Sequence, residues 1–104
     1  MAVDPVMARR MVAVCLSNPD DLALAITYLD LSGKLTKRTI SPIRYLTRSR
    51  LLVYCLSRGE PRSIYLERVV RVQIRHTADV LAPEQIGEFQ RGRHQAGEVE
   101  GIDD

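Results

Sequence analysis

The sequence predicts a mainly β domain: a small five-stranded β-barrel with an N-terminal helix and a short C-terminal helix or tail. Three observations carry this. Five short apolar or alternating runs lie between Leu22 and Arg75, joined by tight loops. One amphipathic segment precedes them. The chain of 104 residues, 45% apolar with one Phe and no Trp, suffices for one domain with a modest aliphatic core.

Asp4-Pro5 starts the helix, with Asp as N-cap and Pro at the first helical position. Over residues 5–16, Met7, Met11, Val14 and Cys15 fall on one apolar stripe. Ser17-Asn18-Pro19-Asp20 breaks it. Leu22 to Asp30 reads as the first strand and Leu31-Ser32-Gly33 as a turn. Lys34 to Ser41 is the second strand, with Pro42 ending it or sitting at an edge. Arg50 to Ser57 is the third, continuously apolar from Leu51 to Leu56, as expected of a strand covered on both faces. Arg58-Gly59-Glu60-Pro61 turns the chain into a fourth strand, Arg62 to Leu66. In the fifth, Val69 to Arg75, Val70, Val72 and Ile74 alternate with Arg71, Gln73 and Arg75. The domain thus spans 1–81, with the barrel at 22–75. Residues 82–104 form an acidic C-terminal tail, with a short helix at Pro83 to Arg91 and disorder expected from Gly92.

Charge is unevenly placed. Between Lys34 and Arg75 lie eleven cations and two acids, Glu60 and Glu67, a net +9 against +2 for the whole chain. Such a region attracts polyanions. Lys34, Lys37, Arg44, Arg48, Arg50, Arg58, Arg71 and Arg75 read singly as solvated surface. Arg38 shares strand parity with Ile40, and Arg62 with Ile64 and Leu66. A guanidinium on an apolar face needs a partner or a place at the barrel mouth. Two readings stand for Arg38 and Arg62: an anion site, or bonds to backbone carbonyls or Glu67 that close the barrel. Tyr28 and Tyr54 read as core-edge residues whose hydroxyls reach the mouth. Tyr45 reads as a packing residue near a strand end.

The order of motifs resembles the WYL domain family. After a strand containing Tyr28 come Arg38-Thr39-Ile40-Ser41-Pro42, then Val53-Tyr54-Cys55, then Arg62-Ser63-Ile64-Tyr65-Leu66-Glu67-Arg68-Val69. The likeness covers roughly Leu24 to Ile74. The Trp of the family name is Val53, its Leu is Cys55, and the Asp of the last motif is Glu67. The resemblance implies an Sm-like (SH3-type) barrel in a bacterial ligand-sensing module of transcription regulation or phage defence. It implies ligand-binding roles for Arg38, Tyr54, Arg62 and Arg68, and a nucleic acid (single-stranded RNA or DNA) or nucleotide ligand. For Arg68 the alternative is a pair with Glu67 or a loop cap. The replaced Trp removes a stacking surface. A second function class, a protein-interaction or dimerisation module docking on an acidic partner or homodimer, stands beside it.

Enzyme chemistry has no support. His76 and His94 lack Cys or carboxylate neighbours at metal spacing, and no phosphate-binding glycine loop is present. No cofactor and no metal are expected. No run reaches the ~18 apolar residues of a membrane span. Asp4 and the short run Met11 to Leu16 do not make a secretory signal. A cytoplasmic protein with Cys15 and Cys55 as buried thiols is expected, a disulfide between them being the alternative.

Overall fold

Asp4 caps the first helix, α1 (Pro5–Ser17): its Oδ1 accepts from the Val6 N–H at 2.9 Å. The computed structural model describes residues 3–98. Helix α1 buries Ala8, Val12 and Cys15, while Met7 and Val14 of the expected stripe are exposed. The stripe was defined by bulk, whereas small Ala8 forms part of the face that packs on the sheet. Met11 and Leu16 are partly buried beside it.

Five antiparallel strands follow: β1 (Leu22–Leu29), β2 (Leu35–Tyr45), β3 (Arg50–Cys55), β4 (Glu60–Tyr65) and β5 (Val69–His76). They pair in the order β4-β3-β2-β1-β5. Strand β2 runs past Pro42, and the register shifts between Pro42 and Arg44. The irregularity lets an internal strand hold a residue without an N–H. A 3-10 turn (Leu66–Arg68) leads from β4 to β5.

The closed barrel is not what the ladders describe. The sheet is open, its outer strands being β4 and β5, and no ladder joins these two among the described residues. The 3-10 turn occupies the corner. The Tyr65 N–H, on the edge strand, donates instead to the Tyr28 hydroxyl at 3.1 Å, tying β1 to β4 through a side chain.

Apolar residues pack on both faces. One cluster joins Val12 and Cys15 of α1 to Leu24, Ile26, Ile40, Leu51, Val53, Ile64 and Val69. On the opposite face Ala23, Tyr54 and Leu56 meet Leu81, Phe89 and Ala96. Strand β3 is buried throughout from Leu51 to Cys55, as its continuous apolar run predicts. Both cysteines are free and buried, and burial pushes the Cys15 thiol up to about 11.

A short helix α2 (Thr77–Val80) leads to α3 (Pro83–Glu98), which packs on β2, β3 and β4. The expected break at Gly92 does not occur. A Cβ there would lie 2.7 Å from Tyr54 Cζ, so glycine lets the helix approach the ring. Beyond it, Arg93 donates to Ser41 Oγ at 2.8 Å and to the Pro42 carbonyl at 2.7 Å, and Arg44 donates to the Gly97 carbonyl. The rest of the acidic tail, residues 99–104, lies outside the described residues.

Candidate anion-binding cleft

The strand register places both parity-selected arginines on the α1-packed face. Arg38 pairs across β1–β2 with Ile26, and Arg62 pairs across β3–β4 with Val53. Ile26 and Val53 belong to the α1 core. Together Arg38 and Arg62 line one cleft of about 690 Å³, between the β1–β2 turn and β4, with Arg50, Tyr28, Leu31 and Tyr65.

Each arginine is held differently. Arg62 donates to Glu60 Oε1 at 3.2 Å, and both side chains are partly exposed. Its Nε is buried and has no hydrogen-bond partner among the described residues. A buried donor without an acceptor costs about 1–3 kcal/mol. Arg38 makes no hydrogen bond or ion pair with another described residue. Arg50 donates from Nε to Ser63 Oγ at 3.0 Å, and its guanidinium carbon lies 5.9 Å from the Tyr65 ring centroid.

The turn that walls the cleft consumes the carboxylate of Asp30, which lines it. Asp30 Oδ1 accepts from Ser32 Oγ at 2.6 Å and from the N–H groups of Ser32 and Lys34 at 2.9 Å each. The Ser32 hydroxyl, then the Lys34 N–H, hold its carboxyl below the usual value. Gly33, at φ +85°, completes the turn. Asp30 is thus engaged by its own turn.

Arg68 takes the loop-cap role. Its Nη1 donates to the carbonyls of Leu29 and Asp30 at 3.2 and 3.1 Å, bracing the turn from the 3-10 segment. Tyr54 departs from the ligand set implied by the resemblance. It lies on the opposite face, its ring centroid 6.1 Å from that of Phe89. Burial first, then the Glu88 charge, raises its phenol pKa. It lines a separate pocket of about 410 Å³ with Glu88 and Arg91. The reason is parity: β3 sends Leu51 and Val53 to the α1 side and Leu52 and Tyr54 to the α3 side.

Arg50 is the cleft residue that sequence reasoning left among the diffuse surface cations. Its place follows from facing Tyr65 across β3–β4, which needs the register. Tyr45 is covered by the Arg9 guanidinium, 5.2 Å from its ring centroid. Among the described residues no group of three His, Cys, Asp or Glu is placed to hold a metal. No helix of the described residues is long and apolar enough to cross a membrane.

No protein-family model, no curated protein and no solved structure matches this chain.

Proposed function

We propose that this chain is a regulatory ligand-binding module whose Arg38–Arg50–Arg62 cleft holds the phosphate of a nucleotide or nucleic acid. The observation that carries the reading is the state of Arg62: a buried Nε without an acceptor among the described residues, in a cleft shared with Arg38, which pairs with no described residue either. Once the Arg62 side chain swings off Glu60, a phosphate oxygen supplies that acceptor, and charge-assisted bonds to arginine are the strong kind. The exposed Arg62–Glu60 pair is worth less than ~1 kcal/mol and gives way to a dianion. The volume lies within the about 300–1,000 Å³ of small-ligand pockets. Leu31, 84% exposed, and Tyr65 offer apolar surface to a base or sugar. The strand order, the 3-10 turn between β4 and β5, and the Tyr28–Tyr65 bond support reading the open sheet as an incompletely laddered Sm-like barrel of the WYL kind.

Calorimetry with a nucleoside monophosphate, its diphosphate and the uncharged nucleoside tests this. Saturable binding of the phosphorylated forms, lost at least tenfold in Arg62→Ala with the fold retained, is expected. Absence of binding at millimolar ligand and low salt, or an unaffected Arg62→Ala, refutes it.

A second reading, a protein-docking or dimerisation module, rests on Val6, Met7 and Val14, which α1 leaves exposed. A concentration-dependent dimer by light scattering, or a stoichiometric partner retained after nuclease treatment, favours it.

A further inference from the structure

Strand β5 is an edge of the sheet: β1 pairs with it on one side and no strand on the other. Outside that ladder, the Val69 carbonyl accepts from the Val3 N–H at 3.1 Å. Over residues 70–75 the described residues supply the backbone with no further partner. An unpaired edge is a template for another strand. The Val3 contact shows the start of β5 already taking a backbone donor from outside the sheet.

Register gives the two faces beside this edge different chemistry. Arg71, Gln73 and Arg75 pair with Thr27, Ala25 and Ala23, and Ala23 lies on the α3 side. Val72 and Ile74 pair with Ile26 and Leu24 of the α1 core and are partly buried against it. Arg71 and Arg75 are exposed and make no hydrogen bond or ion pair with another described residue. Four residues separate them, ~13 Å along the strand. These arginines select what can pair. A second copy of β5 centred on Gln73 would set Arg71 of each chain opposite Arg75 of the other, and like charges directly opposite repel. Cations on an edge thus guard it against self-pairing and leave it open to carboxylates.

We infer that β5 is the docking edge for an extended acidic segment of a partner protein, added as a sixth strand. Backbone bonds to residues 70–75 supply the affinity, and alternate side chains supply the choice. Carboxylates at alternate positions of the incoming strand lie opposite Arg71 and Arg75. Apolar residues between them lie opposite Val72 and Ile74, on the α1 side. The inference is independent of the anion cleft, which no residue of β5 lines.

The probe is a blocked peptide of alternating glutamate and valine, long enough to span residues 70–75. Its affinity for the whole chain is measured by fluorescence anisotropy. Alongside it run an alternating lysine–valine peptide and a glutamate–valine peptide methylated at every backbone nitrogen. Saturable binding of the first peptide alone is expected, with slowed amide exchange in residues 70–75. Arg71→Glu combined with Arg75→Glu is expected to weaken that binding about tenfold or more and to take up the lysine peptide instead, which also shows that the variant is folded. Arg62→Ala is expected to bind the peptide as the unaltered chain does. Absence of binding at millimolar peptide and low salt overturns the inference. A methylated peptide that binds as tightly overturns it as well, because charge alone then suffices. Loss of peptide binding in Arg62→Ala places the peptide in the cleft and also overturns it. Amides of residues 70–75 that slow with rising chain concentration, without peptide, assign the edge to a second copy and sink the inference.

Discussion

Replacing Arg62 by methionine separates a binding arginine from a structural one. The substitution keeps the unbranched stem and removes the guanidinium. Two terms change in the folded chain. The partly exposed pair with Glu60 at 3.2 Å is lost, at about 0.2–1 kcal/mol after solvent screening. The buried Nε without an acceptor is removed, which relieves about 1–3 kcal/mol. The terms oppose each other, so the variant is expected to be as stable as the unaltered chain or up to ~3 kcal/mol more stable. Urea unfolding followed by circular dichroism measures this as an unchanged or raised midpoint at constant slope. In a domain of this size about 1 kcal/mol moves the melting temperature by roughly 4–8 °C. The same variant is expected to lose anion binding. A destabilisation beyond ~2 kcal/mol refutes the reasoning, because Arg62 would then be a brace of the sheet.

Arg68→Ala is expected to show the opposite profile. Two carbonyls of the β1–β2 turn lose a charged donor, so stability falls by about 1.5–3 kcal/mol in the same unfolding assay. Gly92→Ala places a Cβ against the Tyr54 ring, and α3 must shift or lift; a loss of about 1–3 kcal/mol and an altered near-ultraviolet tyrosine signal are expected. The Asp30 carboxyl is held below its ordinary 3.8 in the folded chain. Its contribution is therefore present above that value and lost as pH falls through the lower folded value. An acid-unfolding series should show Asp30→Ala with a flatter pH dependence below 3.8, and a parallel curve counts against the turn's role.

The period-2 pattern made much of this fold legible. The unbroken run Leu51 to Leu56 identified a strand covered on both sides, and it lies between α1 and α3. Parity alone placed Arg38 and Arg62 on an apolar face, and the fold brings them to one cleft. Arg50 was not legible because its position depends on which residue of β4 it faces. Tyr54 was assigned by a motif, whereas its position next to Val53, which faces α1, turns it toward α3. The length of α3 was hidden by Gly92 and Gly97, which read locally as helix breakers at about 1 kcal/mol each. The anchors that offset this are non-local: Arg93 reaches back to Ser41, and Arg44 to Gly97. The open side between β4 and β5 was unreadable for a similar reason, since it depends on where the Leu66–Arg68 turn sits and on the Tyr65 N–H meeting the Tyr28 hydroxyl.

The most direct measurement follows the Arg62 Nε–Hε signal itself in a nitrogen-15 correlation spectrum. Its nitrogen has no acceptor among the described residues. Titration with a nucleoside monophosphate is predicted to move that signal downfield in a saturable way, and Arg38→Ala is predicted to weaken the response at least tenfold. A ligand that binds while the Arg62 signal stays in place, or a signal unmoved at saturating phosphate, contradicts the account.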